Sequence, residues 1–248
     1  KEVASYLKKG RIKINGQIVQ GASTKVNDNV KITFDGSIVD PIPLLVAYHK
    51  PKGIISTMSD DWGRKHLKDS VPEIYLKHMH PVGRLDADSS GLLLLSSDGT
   101  LTHKLLQPKF KVEREYECLV EPKDGMPPPG HSLIDKVFEG VATADGIFPG
   151  EITGIEGCKV KVIVKEGKYR MVRRMLANAG YPVLELHRFR YGDIVMGSEL
   201  GEGECKVIEG RALRWAQWLR KTPEKILLAE KSASVLPQED IRQNHVSA

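Results

Sequence analysis

Gly83-Arg84-Leu85-Asp86-Ala87-Asp88-Ser89-Ser90-Gly91-Leu92-Leu93-Leu94-Leu95 sets a carboxylate beside an arginine, in a glycine-bounded loop that feeds a short apolar run. A run of this length bounded by turn residues reads as a strand buried on both faces. A loop on such a strand is where a rigid scaffold presents a working side chain. Asp86 is then either a turn cap, the commoner role of an aspartate between glycines, or an acid that acts on a substrate.

The flanks of this stretch alternate strands with short helices. Upstream, Leu44-Leu45-Val46-Ala47-Tyr48 reads as a buried strand, followed by the turn His49-Lys50-Pro51-Lys52-Gly53. Downstream, Asp98 is placed to cap a helix through Leu101, Leu105 and Leu106 that Pro108 stops. Glu115 to Val120 reads as a strand, residues 122–130 as a Pro/Gly-rich break, and Val160 to Val164 alternates strongly. Val172, Met175 and Leu176 recur at helical spacing within Glu166 to Ala177, with Arg170, Arg173 and Arg174 on the other side. The pattern predicts an α+β domain.

Asp40-Pro41-Ile42-Pro43 reads as an extended linker, because proline locks φ and biases the residue before it away from helix. Three regions follow: a small unit over 1–40, a main domain over 44–210, and a C-terminal piece over 211–248. In the small unit, residues 1–9 end a helix that Gly10 stops, Asn15-Gly16 is a two-residue hairpin turn, and Val30, Ile32 and Phe34 alternate before Asp35-Gly36. In the last piece, Trp215, Trp218 and Leu219 predict a docking helix before Pro223, and the polar stretch after Lys231 predicts a disordered end.

Of the 248 residues, 40% are hydrophobic and 28% charged, ordinary for a globular protein. The longest apolar runs fall far short of the roughly 20 residues that span a bilayer. The three cysteines, Cys118, Cys158 and Cys205, form no CxxC pair, so neither a zinc site nor a disulfide framework is encoded. The net charge of +5 suits a polyanion partner. Residues 161–190 alone carry eight basic against two acidic side chains, so the basic character is concentrated where a phosphate backbone can be tracked.

His80-Pro81-Val82-Gly83-Arg84-Leu85-Asp86, continued by Gly91-Leu92-Leu93-Leu94-Leu95-Ser96-Ser97-Asp98-Gly99, closely resembles the signature of pseudouridine synthases of the RsuA-like branch, which act on ribosomal RNA. His49-Lys50-Pro51-Lys52-Gly53 resembles the family's Lys-Pro-x-Gly turn, Arg114-Glu115-Tyr116 its second motif, and Gly167 to Met175 its third. Arg188 to Gly192 and Gly203 to Lys206 resemble its closing segments. Lys9 to Gly16, with Lys25-Val26 and Val30 to Ile32, looks like the second half of an S4 RNA-binding domain. Such a domain begins with about one more helix, so the resemblance implies a truncated copy here. It also implies a main domain of the pseudouridine synthase type, built on a mixed, mostly antiparallel sheet.

For the site, the resemblance implies that Asp86 is the catalytic aspartate, that Tyr116 lines the uracil pocket, and that Arg173 pairs with Asp86. A cation within about 4 to 6 Å keeps a partly buried carboxylate ionised. Lys50 would help hold RNA, and Arg84 would fill the gap left by an extruded base, bind a flanking phosphate or make a structural salt bridge. Arg11 and Lys13 would contribute to the RNA-facing surface of the S4-like unit. Lys168, Arg170 and Arg174 fit a basic face that binds phosphates. Two departures stand out, Met171 where the family commonly has Gln and Lys206 where it has Arg, which loses a planar fork.

The reaction so implied isomerises a uridine in ribosomal RNA: the glycosidic bond breaks, the base turns, and it rejoins through carbon. It requires neither cofactor nor metal. Reaching a stacked base requires extrusion, at a cost of a few kcal/mol. Asp86 would attack the ribose, attack the base or abstract a sugar proton. The expected partner is ribosomal RNA or a ribosome assembly intermediate, with no membrane involved, and the expected state is a monomer. The expected location is the cytoplasm in a bacterium, or a plastid or mitochondrion in a eukaryote. The competing readings are a non-catalytic RNA-binding or assembly factor on the same scaffold and, with less support, a metal-dependent nuclease, for which no carboxylate or His cluster has ligand spacing.

Overall fold

The computed structural model describes residues 2–19, 21–26 and 30–233. The chain divides into two compact units, Lys1–Ile42 and Pro43–Ala248. In the first, helix α1 (Glu2–Lys8) precedes strands β1 (Ile12–Ile14), β2 (Gln17–Ile18), β3 (Ile32–Phe34) and β4 (Ser37–Ile38). They form an antiparallel sheet in the order β2-β1-β3-β4. Both hairpins turn on residues with positive φ, Asn15-Gly16 at 49° and 83° and Asp35-Gly36 at 49° and 84°. That is the pairing a tight two-residue hairpin demands.

The second unit runs β5 (Leu45–Lys50), α2 (Glu73–Leu76), β6 (His80–Pro81), β7 (Ser89–Ser96), α3 (Gly99–Leu106), β8 (Arg114–Val120), α4 (His131–Glu139), β9 (Val141–Thr143), β10 (Gly146–Phe148), β11 (Glu151–Glu156), β12 (Lys159–Val164), α5 (Met171–Ala179), β13 (Val183–Tyr191), β14 (Ile194–Val195), β15 (Cys205–Val207), α6 (Gly210–Lys221) and α7 (Glu224–Ala233). Its main sheet is ordered β11-β12-β8-β13-β7-β5-β15, with β14 on β13 and β6 on β7. Every pairing is antiparallel except β13 with β7. This is the mixed, mostly antiparallel α+β architecture.

β7 lies inside the sheet with both faces covered, which explains its four consecutive leucines. Leu93 and Leu95 join one apolar cluster with Tyr116, Val162 and Met175. Leu92 and Leu94 join a second with Leu101, Leu105 and Ala216. α3 begins as expected, Asp98 Oδ1 accepting from Leu101 N at 2.8 Å.

α6 packs through Ala216 and Leu219 and lays Trp215 over Gly192, where an added Cβ would lie 2.2 Å from the indole. α6 ends at Lys221, before Pro223 as expected, and Pro223 then opens a further helix, α7, its carbonyl accepting from Leu227 N. Proline's missing N–H costs nothing at a helix start. The expected disordered end falls largely on residues 234–248, outside the described residues.

Candidate active site

Asp86 lies in the loop between β6 and β7, and the chain on all sides fixes that loop. Ser56 Oγ donates to Leu85 O at 2.7 Å and accepts from Leu85 N at 3.0 Å. Gly53 N donates to Ala87 O at 2.7 Å, and Ser89 N to Asp86 O at 3.1 Å. Lys50 Nζ donates to Ser89 O at 2.9 Å, and Arg173 Nη2 to Asp88 O at 3.0 Å. A side chain presented on backbone held this densely is preorganised.

The sheet brings the remaining parts to this loop. β13 lies between β8 and β7, with Arg188 across from Tyr116 on one side and from Gly91 on the other. Gly91 has φ 107°, and a Cβ there would sit 2.2 Å from Arg188 O. Only glycine permits this approach. Asp86, Tyr116 and Arg173, distant in sequence, thus line one cleft of about 200 Å³, together with Arg84, Arg170 and Arg188. Tyr116 is buried, and the Arg188 guanidinium carbon stands 5.9 Å from its ring centroid and 5.1 Å from that of Tyr191.

The arginine that reaches Asp86 differs from the one expected. Arg173 donates to Val183 O at 2.9 Å, Asp88 O at 3.0 Å and Ser89 Oγ at 3.2 Å, and its nearest carboxylate oxygen is Asp88 Oδ2 at 3.5 Å. The ion pair to Asp86 comes from Arg170 Nη1, at 3.5 Å from Oδ2. The cause is the start of α5. A helix from Glu166 was expected, yet α5 begins at Met171 and Arg170 holds a left-handed backbone conformation at φ 48°. Residues 166–170 therefore form a loop that carries the Arg170 side chain over the cleft mouth.

Arg170 also grips Asp88, Nη1 to Oδ1 at 3.2 Å and Nη2 to Oδ2 at 2.9 Å. Burial works against ionisation of Asp88, but the Arg170 hydrogen bonds and the Arg173 charge outweigh it and hold its carboxyl below the usual range. The Asp88 hydrogen bonds raise the Arg170 pKa in turn.

Other expected contacts with RNA are redistributed. Lys50 has no exposed surface and donates to Pro51 O and Ser89 O, so it serves as an internal post rather than an RNA-holding side chain. Burial lowers its pKa to about 8, against the pull of Asp86 and Asp88. Arg174 pairs with Asp145, and Arg11 pairs with Asp35 beneath the rings of Tyr6 and Phe34. Arg84, Lys13 and Lys168 are exposed and have no ion pair among the described residues. Arg84 therefore makes no structural salt bridge among the described residues.

Asp88, Arg114 and Arg188 were assigned no site role from sequence, although Arg114 and Arg188 lie in the stretches that resemble the family's second motif and closing segments. Arg114 and Arg188 sit on strands whose periodicity reads simply as core, although each is a buried guanidinium, 4% and 3% exposed. Arg114 bonds Leu105 O and Tyr191 Oη at 2.9 Å each, while Arg188 Nε bonds Leu92 O and its Nη2 has no partner among the described residues. Their signal was an arginine on an apolar strand, which must find acceptors inside. Of the two departures, Met171 is buried at the start of α5, and Lys206 pairs with Glu199 at 2.5 Å.

The RNA pseudouridylate synthase family matches residues 44–178, the stretch that carries the aspartate loop and the arginine-rich helix start closing on one cleft. The chain belongs to that family. It is 32% identical over 263 residues to the ribosomal large subunit pseudouridine synthase B of Vibrio cholerae, covering 99% of this chain and 79% of that protein. The protein of the same name in Bacillus subtilis is 32% identical over 199 residues, 77% of this chain and 79% of its own length. A crystal structure of a pseudouridylate synthase superposes with a TM-score of 0.63 at 25% identity, over 88% of this chain and 92% of that one.

Proposed function

We propose that the protein isomerises a specific uridine of large-subunit ribosomal RNA to pseudouridine, with Asp86 as its catalytic carboxylate. The N1–C1′ bond breaks, the uracil turns within the cleft, and C5 bonds to C1′. C5 gives up a proton as N1 gains one, so the step has no net oxidation and calls for no cofactor. Arg170 and Arg173 supply the positive charge at the loop, which holds the Asp88 carboxyl below its usual range. Tyr116 offers a ring on which the uracil packs. The observation that carries the reading is the convergence of Asp86, Tyr116 and the α5 arginines on one cleft.

The names of the bacterial relatives support ribosomal RNA as substrate and the bacterial cytoplasm as location. The first unit reads as an S4-like RNA-binding module, in which Lys13 offers a cation with no ion pair among the described residues. Residues 44–210 form the catalytic domain of this reading, which acts as a monomer.

The test is chemical. Purified protein is expected to form pseudouridine in an unmodified transcript of bacterial large-subunit ribosomal RNA, and Asp86→Asn to form none while still binding it. Equal pseudouridine yield from both would remove Asp86 from the chemistry. Binding without turnover by either protein would favour the non-catalytic assembly factor.

A further inference from the structure

We infer that Asp88 is a positioning residue: it takes the two-pronged grip of Arg170 and thereby leaves the Asp86 carboxylate free to react. The inference rests on the reading of Asp86 as the catalytic carboxylate. Both terminal nitrogens of Arg170 bond Asp88, at 3.2 and 2.9 Å, whereas Asp86 receives a single longer contact at 3.5 Å. Paired bonds between a guanidinium and a carboxylate are strong and geometrically specific. A carboxylate gripped that way has its lone pairs directed at the arginine. Asp88 diverts that grip from the residue whose lone pairs are needed.

Asp88 is suited to the task by what surrounds it. Its backbone carbonyl accepts from Arg173 Nη2 at 3.0 Å, and its carboxylate also lies 3.5 Å from that nitrogen. It is thereby tied to two arginines of the α5 start. Asp86 is faced by Arg170 across the cleft mouth, by the buried Lys50 of β5, which is electrostatically coupled to both aspartates, and by Arg84 of its own loop. Arg173, Tyr116 and Arg188 line the same cleft from α5, β8 and β13. Of these groups, Arg170 alone has an ion pair to both carboxylates. When Asp88 loses its charge, Arg170 has one carboxylate left at hand and closes on Asp86.

The test compares Asp88→Asn, Arg170→Met and the double variant in single-turnover pseudouridine formation on the large-subunit transcript. Asp88→Asn is expected to slow the step by about 10²-fold with RNA affinity changed less than about twofold. The double variant is expected to be no slower than Arg170→Met, since without Arg170 there is nothing for Asp88 to hold. Additive losses, or an Asp88→Asn rate within about threefold of the parent, would overturn the inference.

A crystal structure of the Asp88→Asn protein tests the geometry without activity. Both terminal nitrogens of Arg170 on Asp86 are expected, and Arg170 left where it now stands would refute the role. If the parent enzyme makes no pseudouridine, the catalytic reading fails, while the crystal structure still decides where Arg170 goes.

Discussion

Lys50 shows how a single residue misleads when only its charge is read. A lysine in a Lys-Pro-x-Gly turn looks like a surface cation, yet its ammonium is enclosed at the end of β5 and spends its hydrogen bonds on Pro51 O and Ser89 O. The sequence before it, Leu45 to Tyr48, already told of burial, and the strand simply continues through Lys50. Enclosure has a measurable signature. The folded pKa, about 8, lies below the ordinary 10.5, so between those values the unfolded chain binds the extra proton and stability rises with pH. Relative to Lys50→Met, the parent protein should gain on the order of 2 kcal/mol from pH 7.5 to 10. Urea unfolding at both pH values would show it, and a constant difference between the two proteins would mean that Lys50 is solvated.

At the scale of elements, several strands were legible and the junctions were not. The leucine run, the alternation of Val160 to Val164 and the capped helix after Asp98 each follow from local periodicity, and all three appear as read. The start of α5 does not, because its position depends on one backbone flip at Arg170. Helical spacing of Val172, Met175 and Leu176 is satisfied equally by a helix from 166 or from 171. The difference decides whether Arg170 lies on a helix face or over the cleft, and hence which arginine meets Asp86. The parallel pairing of β13 with β7 was also invisible, being a long-range contact whose only local trace is Gly91. An alanine at Gly91 would have to sit at φ 107° with its Cβ 2.2 Å from Arg188 O. Gly91→Ala should cost more than about 3 kcal/mol, or yield insoluble protein. A melting temperature within about 3 °C of the parent would show that the two strands can part without loss.

For the whole molecule, part of the basic side-chain set that pointed to a polyanion is committed internally. Arg11, Arg170, Arg174 and Arg190 each hold a carboxylate, and Lys50, Arg114 and Arg188 are buried. The basic segment 161–190 therefore contributes fewer free charges than its composition suggests, and what counts for RNA is the exposed, unpaired set that includes Lys13 and Lys168. Each phosphate neutralised on a single strand steepens the dependence of log affinity on log salt by about 0.7. Lys13→Gln and Lys168→Gln should each make the slope shallower by roughly that amount, one reporting on the first unit and the other on the second. Arg174→Gln removes a charge already held by Asp145, so it should lower affinity little and leave the slope unchanged. Filter binding of the large-subunit transcript across a salt series distinguishes these outcomes. A silent Lys13→Gln would show that Lys13 makes no phosphate contact, and a slope change in Arg174→Gln equal to that of Lys168→Gln would show that the ion pair opens to receive RNA.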